Sequence, residues 1–244
     1  MSKPTTTSQI NLYATPPHEC SYLPSRQATT VFLDPHFPKD SRLYGLLSRQ
    51  GFRRSGEHLY RPHCRECQAC ISVRVRVNEF EPTRSHRRTW KKNSDLVVKP
   101  TAPRYRPEHF RMYAQYISQR HRGGGMDNPT PDSFMQFLTS HWADTTFLEF
   151  RKDEQLIAVA VVDRLDNGLS AIYTFYDPSQ QHRGLGTYAI LWEINEAKKL
   201  GLEYLYLGYW IEECDKMNYK NNYKPVEYYV GGEWRDTPYF SLLN

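Results

Sequence analysis

The chain has 244 residues, of which 39% are hydrophobic and 24% charged, and a formal net charge of +5. This balance suits a soluble globular protein of one to two domains. No apolar run approaches the ~20 residues a membrane helix needs, and the opening MSKPTTTSQINLY lacks a hydrophobic signal core. A cytosolic location is therefore expected, where glutathione works against a disulfide framework among the five cysteines.

In chain order, the first 33 residues are rich in Thr, Ser and Pro and carry Cys20. DSRLYGLLSRQG predicts a short helix, with Asp40 or Ser41 as its cap and Gly51 at its end. FRRSGEHLYRP predicts a strand. RPHCRECQAC then sets Cys64, Cys67 and Cys70 at two-residue gaps. In ISVRVRVNEF, Ile71, Val73, Val75 and Val77 alternate with Ser72, Arg74, Arg76 and Asn78, the period of a half-buried strand with an open polar face. TRSHRRTWKKN predicts a basic helix capped by Thr83, with Arg87, Arg88 and Lys91 on it. The three prolines of VVKPTAPRYRP predict a linker, dividing the chain into residues 1–100 and 101–244.

The second half predicts helix, helix, three strands, helix, strand and hairpin. PEHFRMYAQYISQRH and DSFMQFLTSHW are the first helices, separated by the loop GGGMDNPTP. TTFLEFR, QLIAVAVVDRL and LSAIYTFYD are the strands, with turns at KDE and DNG. GLGTYAILWEINEAKKLG is an amphipathic helix ended by Gly201. EYLYLGYW is a strand and EYYVGGEWR a hairpin. The class is α+β.

Two stretches point to chemistry. QQHRGLG follows a strand and opens a helix, placing Gln181, Arg183, Gly184 and Gly186 at a turn where glycines let backbone N–H groups approach an anion. Strand, turn and helix after a three-stranded meander resemble the GNAT acyltransferase fold, in which this turn holds a pyrophosphate. A smaller α/β unit with the cysteine loop would precede it. The second stretch, YLYLGYWIEECDKMNYKNNYKP, resembles the C-terminal signature of aminoacyl-tRNA–protein transferases. Leu207, Gly208 and Tyr209, then Lys216 and Met217, then Tyr219 and Lys220, carry that resemblance. CSYLPSRQAT, the cysteine region, FEPTRSHRR and GGGMDNPTP extend it over nearly the whole chain, toward the family's bacterial branch.

The resemblance implies transfer of leucine from leucyl-tRNA to the α-amine of proteins that begin with Asp or Glu, marking them for N-degron degradation. An arginyl-tRNA donor, or acetyl transfer from CoA, is the alternative. An aminoacyl ester is already activated, and an α-amine has a pKa of about 7.7–8.0, so the main task is positioning. Tyr173, Tyr209 and Tyr219 are candidates for donating to the charged carbonyl oxygen or shaping the cleft, and Asp177 for a weak base; packing is the alternative role for each tyrosine. Arg87, Arg88, Lys91, Lys216 and Lys220 are the candidates for the tRNA backbone, with donor phosphates at Gln181–Gly186. Arg26, Arg74 and Arg76 are the candidates for an Asp or Glu side chain, which arginine pairs bidentately. Transfer needs no cofactor. Cys20, Cys64, Cys67 and Cys70 suit a structural zinc, an iron–sulfur cluster or bare thiols, and Cys214 is expected to stand apart.

Overall fold

The computed structural model describes residues 10–120 and 127–239. The start of the polar opening and the first four residues of the GGGMDNPTP loop lie outside the described residues. In chain order the elements are β1 (Leu12–Ala14), β2 (His18–Glu19), β3 (Gln27–Ala28), β4 (Thr30–Leu33), α1 (Ser41–Arg49), β5 (Arg53–Ser55), β6 (His58–Pro62), β7 (Ile71–Arg76), α2 (Arg84–Lys92), β8 (Val97–Thr101), α3 (Pro107–Arg120) and α4 (Pro131–Leu138). They continue with β9 (Asp144–Lys152), β10 (Gln155–Arg164), β11 (Gly168–Tyr176), α5 (Leu185–Lys199), β12 (Tyr204–Trp210), α6 (Asp215–Asn218), β13 (Val226–Val230) and β14 (Glu233–Arg235).

The predicted elements form for the expected local reasons. Asp40 caps α1 by accepting from Leu43 N at 2.7 Å, and Gly51 follows it at φ +80°. Thr83 caps α2 by accepting from His86 N at 3.2 Å. An eight-stranded sheet runs β14-β13-β7-β12-β11-β10-β9-β8, and a four-stranded sheet runs β1-β4-β6-β5. The cysteine loop joins β6 of the small sheet to β7 of the large one. α5 packs on one face of the large sheet through Leu185, Ala189, Leu191 and Ile194. α3 and α4 cover the other through Met112, Ile117, Phe134 and Leu138. α1 fills the space against the small sheet with Tyr44 and Leu47.

Two expectations change. β7 is not half-buried: it lies between β12 and β13, and Ser72 and Arg74 are 4% and 7% exposed. The expected division at residue 100 falls inside β8, an edge strand that tolerates Pro100. Because β7 comes from the first hundred residues, the two halves share one sheet. A buried ion pair links them further: Arg54 of β5 donates to both carboxylate oxygens of Asp163 on β10, at 2.5 and 2.9 Å. No helix among the described residues is long and apolar enough to cross a membrane.

Candidate active site between splayed strands

Strands β11 and β12 are parallel and pair only over Gly168–Ser170 opposite Tyr204–Tyr206. Beyond that they diverge, β11 to Tyr176 and β12 to Trp210, and Ala171, Ile172, Tyr173 and Thr174 become partly exposed. A bulge between Tyr206 and Gly208 in the pairing with β7 turns β12 aside, with Gly208 at φ +83°. Parting strands orphan backbone carbonyls. Arg53 of β5 answers this by donating to Tyr206 O at 3.4 Å, to Ser170 Oγ at 2.8 Å and to Ala171 O. Its guanidinium closes the fork, and a Cβ on Gly208 would stand 3.1 Å from Arg53 Nε.

The glycine turn lies at the same end of the sheet. Asp177 accepts through Oδ1 from Ser179 N at 2.9 Å and Oγ at 2.8 Å, starting the 3-10 turn Pro178–Arg183. Gln181 is exposed, and its carbonyl accepts from Gly184 N at 3.1 Å. Gly184, at φ +68°, caps α5, and a Cβ on Gly186 would meet nothing within 4 Å. The first turn of α5 therefore presents unencumbered backbone N–H groups, suited to an anion. Arg183, expected at the anion, is turned away: it donates to both oxygens of Asp95 at 2.8 Å, and that partnership holds the Asp95 carboxyl down at about 2. Lys92 Nζ donates to His182 O at 2.9 Å, fixing α2 against the turn.

Tyrosines crowd the fork. Tyr173 packs against Phe137 at 5.3 Å and Tyr113 at 6.0 Å between ring centroids, and burial raises its hydroxyl. Tyr219 is 41% exposed, yet desolvation and then nearby Glu193 push its hydroxyl up to about 12. Tyr209 is spoken for otherwise than expected: it is buried, and its hydroxyl donates to Gly51 O and Tyr60 O, each at 3.1 Å, tying β12 to the small sheet. Lys220 does not face tRNA. It is 5% exposed, its ammonium donates to Tyr209 O at 2.6 Å, and burial and then Arg53 push it down to about 7.

The acceptor arginines separate. Arg74 pairs with Glu227 at 2.7 Å and lies 3.6 Å over the Tyr204 ring and 4.2 Å over Trp234. Arg76 pairs with Glu79, Glu227 and Asp236 at 3.0, 3.4 and 2.6 Å. Both are engaged by carboxylates of the chain, against the open polar face expected of them. Arg26 differs: it is exposed, and Glu213 stands 3.9 Å away. Its loop packs through Leu23 against Ile211, just past β12. Arg87, Arg88, Lys91 and Lys216 are exposed. Arg87 and Lys91, with Lys198, rim a 330 Å³ groove between α2 and α5, lined by Phe80, Trp90, Leu191 and Ile194.

Four of the five cysteines gather in one cluster. Cys20, Cys67 and Cys70 pack around Leu23 and Ile211, and Cys214, expected elsewhere, joins them. Cys64 Sγ lies 3.5 Å from Thr29 N. Burial and then the other thiols push Cys70 up to about 12. Among the described residues no group of three or more His, Cys, Asp or Glu side chains has a metal-holding arrangement.

Three contributors escaped the sequence reading: Arg53, Arg54 and Glu193. The first two form an Arg-Arg pair in a strand pattern. Glu193 lies in an apolar helical row of α5 and is 0% exposed, with no hydrogen-bond partner for either carboxyl oxygen among the described residues.

Residues 18–88 match the family described as Arginine-tRNA-protein transferase, N terminus, and residues 108–230 match Arginine-tRNA-protein transferase, C terminus. Aspartate/glutamate leucyltransferase of Pseudomonas fluorescens is 53% identical over 227 residues, covering 93% of this chain and 97% of that protein. The Pseudomonas aeruginosa protein of the same name is 52% identical with the same coverage, and that of Marinobacter nauticus 51% identical over 92% of this chain and 94% of its own. Among solved structures, L-PGS from Bacillus licheniformis is similar at 10% identity and TM-score 0.47, over 59% of this chain and 48% of that one.

Proposed function

The chain belongs to the arginine-tRNA-protein transferase family, and from that membership we propose that it transfers leucine from leucyl-tRNA to the N-terminal α-amine of proteins beginning with Asp or Glu. The leucine so added marks its carrier for N-degron degradation. Support for leucine as the transferred residue comes from relatives at 51–53% identity that carry the name aspartate/glutamate leucyltransferase.

The fork between β11 and β12 is the observation that carries the location of the chemistry. We read β9, β10 and β11, the glycine turn, α5 and parallel β12 as a GNAT-like unit, in which the first turn of α5 takes the donor's 3′ phosphates. The aminoacyl ester then lies in the fork, along the unpaired edges of Ala171–Thr174 and of β12 beyond Tyr206. Tyr173 and Tyr219 line its mouth. The basic, aromatic groove of α2 and α5 runs beside the turn and suits the tRNA backbone, Trp90 offering a ring among cations. Arg26 is the arginine left to meet an acceptor carboxylate.

The amine nitrogen attacks the ester carbonyl, the N–C bond forms, and the ester C–O bond to the ribose breaks. Holding amine and ester together supplies several kcal/mol of the barrier reduction. The test is transfer of labelled leucine from leucyl-tRNA to peptides starting with Asp, Glu, Lys or Ala. Label on the Asp and Glu peptides alone is expected. Transfer from arginyl-tRNA but not leucyl-tRNA would overturn the donor, and transfer only from acetyl-CoA would overturn the reaction.

A further inference from the structure

The small sheet has a buried face and an open one. Val31, Leu33 and Leu59 are 8%, 0% and 0% exposed, so the alternate residues Phe32 of β4 and Tyr60 of β6 face outward. Strand register extends this row: Tyr13 of β1 stands opposite Phe32, and Phe32 opposite Tyr60. Ring centroids are 5.9 Å apart between Phe32 and Tyr60, and 6.0 Å between Tyr60 and Tyr209 of β12. The row of rings therefore leads outward from the fork. At its far end Tyr13, Phe32, Asp34, Pro35, His36 and His58 line a 600 Å³ pocket. Tyr13 is 54% exposed there, and His58 meets the Phe32 ring edge-on at 5.9 Å. Large rings left open on a protein surface mark a place that receives a partner.

This face lies across the large sheet from the proposed donor seat. Leu205 and Leu207 of β12 point into the core under α5, and Tyr206 between them points into the core of α1 and the small sheet. A donor held at the first turn of α5 leaves the small-sheet side of the fork to the acceptor. The charge of the pocket agrees. Among the described residues Asp34 is the only carboxylate of the lining, which has no Lys or Arg. Asp34 Oδ1 accepts from His36 N at 2.9 Å, and the nearby Lys39 donates to the carbonyls of Pro35 and Phe37 at 2.8 and 3.3 Å. A phosphate would be repelled by the carboxylate. A lysine or arginine side chain would meet carboxylate and ring faces together.

We propose that this face carries the protein substrate behind its first residue, and that the pocket of Tyr13, Phe32 and Asp34 takes a lysine or arginine of the substrate's N-terminal segment. This rests on the leucyl-transfer reading above. Two ring spacings separate Tyr209 from Phe32, roughly 12 Å, which an extended chain covers in about four residues. The favoured cation therefore stands about four residues after the acceptor Asp or Glu. A segment must be extended to lie along the row, so the site selects unfolded N-termini.

The test uses peptides that begin with Asp and carry a single lysine, moved one position at a time through a Gly-Ser chain. Leucyl transfer should show a KM at least about fivefold lower when the lysine stands about four residues after the Asp, the scale of a cation–ring contact. Fluorescence anisotropy of the same peptides should show the same preference without any transfer. Asp34→Lys should abolish the lysine preference and favour glutamate at that position instead. Tyr13→Ala, at an exposed position, should reduce the lysine preference. A KM and an affinity that ignore the lysine's position, or a lysine preference that survives Asp34→Lys, would overturn the proposal. So would weakened leucyl-tRNA binding by Asp34→Lys and Tyr13→Ala with peptide binding intact, which would give the face to RNA. A lysine preference in binding without leucyl transfer by the parent would overturn the leucyl-transfer reading and leave the pocket assigned.

Discussion

Arg53 Nη1 donates to Ser170 Oγ at 2.8 Å, so a side chain of the small sheet closes the point where two strands of the large sheet part. The same guanidinium reaches Ala171 O on one strand and Tyr206 O on the other. Replacing it with Arg53→Met strips buried carbonyls of their donor at about 1–3 kcal/mol each. Thermal unfolding should register a loss of roughly 3–5 kcal/mol, and leucyl transfer should fall further than stability alone explains. A variant as stable and active as the parent would mean the fork does not depend on Arg53.

At Gly186 a Cβ meets nothing within 4 Å. Gly186→Glu therefore adds a negative side chain to the first turn of α5 without a clash, and acid there favours the helix dipole. The thermal midpoint should hold while leucyl-tRNA affinity drops at least about tenfold, read by filter binding. Unchanged affinity would remove the donor phosphates from this turn.

The sequence disclosed the local structure well and the long-range pairing poorly. Alternation in ISVRVRV, the Asp40 and Thr83 caps and the glycine turn were all legible, because each rests on neighbours in the chain. What alternation does not carry is whether a strand's polar face meets water or another residue. Arg74 looked available for an acceptor, but Glu227 and Trp234, both more than 150 residues away, enclose it. Arg53, Arg54 and Glu193 were missed for the same reason: a charge buried by distant elements has no local signature. The engagement of Tyr209, Lys220 and Arg183 likewise depends on tertiary partners.

Arg87 and Lys91 are exposed on the rim of the α2–α5 groove. If each meets a phosphate, Arg87→Ala/Lys91→Ala should weaken tRNA binding and flatten its salt dependence. The slope of log affinity against log salt should shrink by roughly one to two, the contribution of two released counterions. An unaltered slope would take tRNA off this face.

Arg26 stands 3.9 Å from Glu213, with both side chains exposed, a pairing of little strength. Arg26→Ala should raise KM for Asp and Glu peptides at least about fivefold, the scale of a lost charged hydrogen bond, and leave leucyl-tRNA affinity intact. Equal losses for both substrates would contradict an acceptor-specific role.

The central claim is that the aminoacyl ester lies in the fork that Arg53 closes. A crystal structure with a non-hydrolysable amide analogue of leucyl-adenosine tests it most directly. The leucyl carbonyl is expected between Ala171–Thr174 and Gly208–Tyr209, with the nucleotide phosphate at the first turn of α5. An analogue seated solely in the α2–α5 groove, or beside Phe32, His36 and His58 in the 600 Å³ pocket of the small sheet, would contradict it.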